Sequence, residues 1–157
     1  MLSPSLSVVM AVYNGERWLA ETLASLSSQT FGDFEIVAID DGSTDGSAAI
    51  LAEAAARDAR YRIITQANRG LVASLNRGLA ESRAPLVARI DADDVAEPER
   101  FARQVAFLQA HPEVAALGSA IRIIGPDGAS AACRPIPAVR RRWPMRCSAA
   151  ARWRTRQ

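Results

Sequence analysis

Three acidic residues close behind an apolar segment are the part of this chain best suited to chemistry. Asp91, Asp93 and Asp94 come shortly after Pro85-Leu86-Val87-Ala88. A buried strand delivers carboxylates to the edge of a sheet in this way, and carboxylates so close together repel one another without a cation. Hard divalent ions such as Mg²⁺ and Mn²⁺ take oxygen ligands and keep places for phosphate oxygens. The run therefore predicts a metal-bridged phosphate site, although similar runs also occur in solvated loops and at helix starts.

The elements that must position this run alternate between strand and helix patterns. Apolar runs bounded by turn signals predict strands at residues 6–12, 34–39, 61–65, 86–90 and 114–124, the last bent at Gly118. Helical spacing of apolar residues predicts helices around residues 18–26 and at 48–56, 71–82 and 99–110. Such alternation predicts an α/β fold, an open and mostly parallel sheet with helices on both faces.

Ligands of such sheets bind at the carboxyl ends of the strands. Three polar runs fall at those ends, namely Tyr13-Asn14, the segment from Asp40 to Asp45, and the segment from Asp91 to Asp94. Their convergence predicts one site more firmly than any single run does.

The helical patterns also group apolar side chains into stripes, and the stripe of the last helix is predicted to face inward. Trp18 is assigned to the core, Leu71, Leu75 and Leu79 form one stripe, and Phe101, Val105 and Leu108 form another. Asp45 is interpreted as a helix cap, because Asp is favoured at that position.

Five motifs, in order, resemble the signature of family 2 glycosyltransferases with the GT-A fold. They are Ala11-Val12-Tyr13-Asn14, the segment from Ser25 to Phe31, the segment from Asp40 to Asp45, Asn68-Arg69-Gly70 with Asn76-Arg77-Gly78, and Asp91-Ala92-Asp93-Asp94. The resemblance runs from about Leu6 to about Ile124. It implies a GT-A sheet that is incomplete at its C-terminal end.

The resemblance implies a nucleotide pocket at the first two strand ends. Ala11 and Tyr13 would line the base pocket, with the Tyr13 ring stacking, and Glu16 would lie near it. Asp41, with Asp40 beside it, would accept a hydrogen bond from the base, commonly uracil. Two structural interpretations stay open beside these roles: Tyr13 as a half-buried aromatic at a strand end, and Asp40 as a turn residue.

The resemblance also implies a metal centre at the acidic run. Asp93 would bind the divalent cation, Mn²⁺ or Mg²⁺, while Asp91 would hold the ribose or support the cation. The cation would bridge the diphosphate and stabilise charge on the departing nucleoside diphosphate.

Charge divides the chain near residue 128. The sequence has no lysine, and residues 1–128 carry 11 Arg against 17 Asp and Glu, whereas residues 129–157 carry 8 Arg and no acid. The first part is predicted to be a partial nucleotide-sugar-binding domain. The second part is rich in Arg, Pro and Ala and has no clear strand or helix period. It could be a patch for nucleic acid or anionic membrane, a disordered tail, or an out-of-frame product, and we favour the last.

The function implied by the resemblance is transfer of a sugar from a nucleoside diphosphate sugar, commonly a UDP-sugar, to a saccharide or lipid-linked acceptor. No Asp or Glu follows Asp127, so the carboxylate that serves as general base late in inverting relatives has no counterpart, and weak or absent transfer is expected. The alternative is a non-enzymatic module whose basic tail binds nucleic acid or membrane; with the glycosyltransferase interpretation, no nucleic acid partner is expected.

The remaining expectations concern location. No cationic and then apolar leader precedes the first strand, and no apolar run approaches about 20 residues, which predicts a soluble, cytoplasmic product. Intact relatives often work at the membrane face, so peripheral membrane association is possible for them. The two cysteines, Cys133 and Cys147, have no spacing that predicts a metal site.

Overall fold

The computed structural model describes residues 3–124 and 130–134, and it divides the chain into two compact units. The described part of the first unit is residues 3–101; that of the second is residues 102–124 and 130–134. The domain boundary predicted at residue 128, and the tail beyond residue 134, lie outside the described residues.

A four-stranded parallel sheet is the centre of the first unit. Its strands are β1 (Leu6–Val12), β2 (Phe34–Asp40), β3 (Tyr61–Thr65) and β4 (Leu86–Arg89). The order across the sheet is β3-β2-β1-β4, with Leu6 opposite Phe34 and Leu86, and Ile36 opposite Tyr61. β1 and β2 are buried almost throughout because both their faces are covered.

Helices connect the strands. They are α1 (Glu16–Ser27), α2 (Ser47–Arg57), α3 (Leu71–Glu81) and α4 (Arg100–Ala110). α3 lies on the sheet face that carries Val9 and Ile39, which Gly78 approaches. On the other face, the Tyr61 hydroxyl donates to the carbonyl of Leu23 in α1 at 3.2 Å. The predicted α/β fold, with a parallel sheet and helices on both faces, is confirmed.

The predicted fifth strand is wrong in length and in partner. Residues 111–120 form no strand, and β5 covers only Ile121–Ile124. β5 pairs antiparallel with β6 (Ser130–Arg134) in a separate two-stranded sheet. Val114 is buried although it lies outside a strand, so burial at this position does not depend on sheet pairing. Of the predicted inward residues of α4, Phe101 and Val105 are buried.

The part of the chain that the structure describes contains no helix with the length and apolar character needed to cross a bilayer.

Candidate functional site

A cleft of about 320 Å³ lies at the carboxyl edge of the sheet in the first unit. Five of the seven predicted site residues line it: Ala11, Tyr13, Asp41, Asp91 and Asp93. The sheet order explains why, since β1 lies between β2 and β4. The carboxylate that follows β2 is therefore at one end of the cleft, the pair that follows β4 is at the other, and Tyr13 lies between them with 54% of its surface exposed.

Asp41 holds the backbone of the loop before α3. Its Oδ1 accepts hydrogen bonds from Gln66 Nε2 at 2.7 Å and from the Arg69 N–H at 2.9 Å, and its Oδ2 accepts one from the Gly70 N–H at 2.8 Å. Gly70 has a φ of 84°, a conformation that glycine adopts without steric cost. Burial by itself would raise the pKa of Asp41, but these hydrogen bonds outweigh it and hold the pKa below its usual value. Asp41 therefore stays an ionised acceptor.

Asp40 and Glu16, the other two predicted site residues, do not line the cleft. Asp40 is buried, and its Oδ1 accepts the Ser43 N–H at 3.0 Å, which is the arrangement of a turn. Glu16 Oε2 accepts the Gly46 N–H at 2.9 Å, at the start of α2. Both carboxylates thus hold loops, and a direct role in ligand binding stays a prediction for each.

The loops that open α1 and α2 are bound to each other through side chains. We call this set of contacts, between Asn14–Glu16 and Ser43–Ser47, the loop clamp. Asn14, with a φ of 52°, accepts the Thr44 N–H on Oδ1 at 2.8 Å and donates its own N–H to Ser43 Oγ at 3.1 Å. The Gly15 N–H donates to Ser47 Oγ at 2.9 Å.

The clamp continues at the helix starts, where backbone N–H groups lack partners within their own helix. Asp45 Oδ2 accepts the Glu16 N–H at 3.0 Å, and Asp45 Oδ1 accepts the Ser47 N–H at 3.0 Å. Hydrogen bonding with Ser47 is the main reason that the pKa of Asp45 is lowered. Asp45 therefore serves the starts of both helices, a wider role than the single cap predicted for it.

The acidic run after β4 is only partly compensated by basic side chains. Asp91 pairs with Arg89 at 2.5 Å and keeps 41% of its side chain exposed, and Asp93 is also exposed. The pKa of Asp94 is raised, first by burial and then by the charges of Asp91 and Asp93. Negative charge thus accumulates where the cleft ends.

The acidic run brings two of its three carboxylates to the cleft. Within residues 3–124 and 130–134 no three His, Cys, Asp or Glu side chains are arranged to hold a metal ion, and Asp94 does not line the cleft. Two hard oxygen donors, Asp91 and Asp93, do face it. Mg²⁺ in particular is usually bound by one or two carboxylates together with phosphate oxygens and water. The residues present therefore fit a cation that is shared with a bound diphosphate.

Two large apolar side chains are exposed on the cleft wall, and one of them, Trp18, was wrongly expected in the core. Trp18 is 43% exposed and Leu71 is 52% exposed, and both line the cleft. The buried stripe of α1 includes Leu19, Leu23 and Leu26, which leaves Trp18 beside it. Spacing alone does not distinguish a core position from a position on a cleft wall, so the sequence carried no signal that these side chains line the cleft.

Comparisons with known proteins place the chain in a family. The model of Glycosyl transferase family 2 matches residues 7–155, so the chain belongs to that family. It is 38% identical over 138 residues to EpsE of Bacillus subtilis (strain 168), which is assigned as a glycosyltransferase; this covers 87% of the chain and 49% of EpsE. It is 37% identical over 118 residues to the amylovoran biosynthesis glycosyltransferase AmsE of Erwinia amylovora, which covers 73% of the chain and 44% of AmsE. The chain thus spans about half the length of these curated relatives.

Solved structures agree on the GT-A fold. S. aureus TarS (1–349) in complex with UDP-GlcNAc superposes with a TM-score of 0.71 at 27% identity, covering 85% of this chain and 37% of that one. The mannosyltransferase PcManGT from Pyrobaculum calidifontis in complex with GDP-Man and Mn²⁺ gives a TM-score of 0.68 at 26% identity, covering 78% of this chain and 37% of that one.

Proposed function

We propose that this chain forms the donor-binding part of a glycosyltransferase and binds a nucleoside diphosphate sugar, with uridine as the base. The observation that carries the proposal is the layout of the cleft, with the Asp41 carboxylate at one end, Asp91 and Asp93 at the other, and the exposed Tyr13 ring between them. This order matches the order of base, ribose and diphosphate along such a donor.

At the base end, Asp41 is an ionised acceptor whose Oδ2 accepts the Gly70 N–H. An imide N–H of uracil can donate to it, and hydrogen bonds to a charged acceptor are about twice as strong as neutral ones. The Tyr13 ring offers a flat apolar face on which a base can stack. The fit of a uridine donor is also supported by the likeness to TarS, which was crystallised with UDP-GlcNAc.

At the other end, Asp93 and Asp91 would hold Mn²⁺ or Mg²⁺ against the diphosphate. When bound, the cation supplies a positive charge that stabilises the leaving diphosphate. In binding the cation, the Asp91 carboxylate would exchange its pair with Arg89 for the metal. The Mn²⁺ in the PcManGT complex supports a cation of this kind.

The acceptor side of the reaction is a separate part of the proposal. The cleft carboxylates Asp41, Asp91 and Asp93 are all committed to the donor and its cation. Deprotonation of a saccharide or lipid-linked acceptor would then depend on a group outside the described residues.

Calorimetric titration of the purified chain with UDP, in Mn²⁺ and in EDTA, tests the proposal. We expect saturable UDP binding that weakens at least about ten-fold without the cation, because the diphosphate is then left against two carboxylates. A titration with GDP in place of UDP tests whether the cleft prefers uridine as the base. Absence of UDP binding in Mn²⁺, or equal binding in Mn²⁺ and EDTA, would contradict the proposal.

A further inference from the structure

Trp18 is the largest side chain on the wall of the cleft, and the donor proposal leaves it without a role. It lies in the first turn of α1, with 43% of its surface exposed. The Arg17 guanidinium lies over the indole, 4.4 Å from the ring centroid. A cation over one ring face stabilises the ring's position and leaves the opposite face and the edge for another contact.

The packing of α1 places Trp18 near the acidic end of the cleft. Thr22, one turn further along the same helix face, donates its hydroxyl to the carbonyl of Ala92 at 2.9 Å. At the start of α1, the position of a Cβ on Gly15 would lie 3.6 Å from the Cβ of Ala92. Ala92 separates Asp91 from Asp93, so this face of α1 runs along the proposed cation site.

The base end of the cleft has different walls. Leu71 and Ser74, both from α3, line the cleft together with Asp41, and α3 covers the sheet face opposite to the one that α1 covers. A uracil bound at Asp41 would therefore lie nearer to α3 than to Trp18. The group that follows the diphosphate in a nucleotide donor is the sugar, and it is the part that reaches past the cation.

We propose that Trp18 is the donor-sugar wall: its indole packs against the sugar of the nucleoside diphosphate sugar, and Arg17 holds the ring in place. A pyranose ring has an apolar face of C–H groups, and a flat aromatic side chain buries that face without competing for its hydroxyls. The inference rests on the proposed donor function and adds a residue that senses the sugar rather than the nucleotide.

Calorimetric titrations in Mn²⁺ with UDP and with UDP-GlcNAc, UDP-glucose and UDP-galactose test the inference in wild type, Trp18→Ala and Trp18→Phe. We expect Trp18→Ala to weaken the tightest UDP-sugar about ten-fold while UDP stays within about two-fold, because only the sugar loses its contact. Trp18→Phe should lose less affinity for that UDP-sugar, since it keeps a flat ring. Phe107→Ala removes an exposed aromatic side chain that does not line the cleft, so it should leave the affinity for both UDP and the UDP-sugar unchanged.

Indole fluorescence gives a second readout on the same proteins. A UDP-sugar should change the emission of wild type by more than UDP does, and Trp18→Phe should abolish that difference while Trp143 and Trp153 remain. Equal losses for UDP and UDP-sugars in Trp18→Ala, or no loss for either, would overturn the role of Trp18 and leave the donor proposal standing. If wild type binds neither UDP nor any UDP-sugar, the donor proposal fails and this inference fails with it.

Discussion

Asp93 and Asp94 are neighbours in the chain, yet only Asp93 faces the cleft. We therefore expect Asp93→Asn to weaken UDP binding in Mn²⁺ at least about ten-fold, because a neutral amide is a poor ligand for a hard cation. Asp94→Asn removes the same charge one residue later and should weaken UDP binding by less than about three-fold. UDP titrations of both variants in Mn²⁺ measure the difference.

The comparison of these two variants separates a cation shared with the diphosphate from a cation held by three protein carboxylates. Equal losses would favour a site in which Asp94 also binds the cation. Binding of UDP in EDTA serves as the control, since neither variant should weaken it.

At the residue scale, the sequence predicted those cleft residues that follow strands. Tyr13, Asp41 and Asp91 each come at or just after the end of an apolar run, and parallel strands end at one edge. Trp18 could not be predicted, because its position depends on the exact rotation of α1 over Ala92. The helical stripe of Leu71 gave no sign of its exposure either, since the buried positions of α3 are Ser74 and Gly78.

Among the elements, α3 depends on a glycine for its close approach to the sheet. A Cβ at Gly78 would lie 2.4 Å from Val9 Cγ1, and Val9 is buried and branched at Cβ. We expect Gly78→Ala to destabilise the fold by about 1–3 kcal/mol, because overpacking outweighs the gain in helix propensity.

Urea unfolding of Gly78→Ala, compared with Gly32→Ala, measures this effect. A Cβ at Gly32 meets no heavy atom within 4 Å, so that variant should stay within about 0.5 kcal/mol of wild type. A Gly78→Ala protein as stable as wild type would show that α3 can move away from the sheet.

The sequence predicted β1 to β4 to within about one residue at each end because buried parallel strands are continuous apolar runs. The strand prediction failed at residues 114–124, because the partner with which a strand pairs is not determined by its local sequence. β5 is defined by its antiparallel neighbour β6, which lies in the Arg-rich part that carried no strand period.

Across the whole sheet, the edge opposite the cleft is stabilised by an ion network around the buried carboxylate of Glu35. Glu35 Oε1 accepts Ser7 Oγ at 2.7 Å and the Arg83 N–H at 2.9 Å, and Oε2 lies 2.6 Å from Arg83 Nη2. Arg62 lies 3.4 Å from the same oxygen. Burial raises the pKa of Glu35, but the hydrogen bonds from Arg83 and Ser7 outweigh it and lower the pKa from 4.5 to about 2.

This network predicts a loss of stability in acid. Because the folded-state pKa is lower than that of the unfolded chain, ionised Glu35 stabilises the fold fully above about pH 4.5, and the contribution is lost as pH falls toward 2. The whole contribution amounts to about 3 kcal/mol. Glu35→Gln should therefore be less stable than wild type near neutral pH, and the difference should shrink in acid.

Urea unfolding from about pH 7 to about pH 3 tests this, with Glu53→Gln as the matched control. Glu53 forms an exposed pair with Arg57 on α2, so its replacement should leave the pH profile of wild type unchanged. A constant stability difference between wild type and Glu35→Gln across this range would show that the network does not titrate with Glu35.

The loop clamp has a consequence for the rate at which a ligand enters the cleft. The loop that carries Tyr13 and Asn14 is ordered by hydrogen bonds with the Ser43–Ser47 segment, so its conformational entropy is already lost before any ligand arrives. Association then requires little rearrangement of this loop, and encounter rather than loop closure sets its speed. Differences in affinity among donors should accordingly appear as differences in how long each one stays bound.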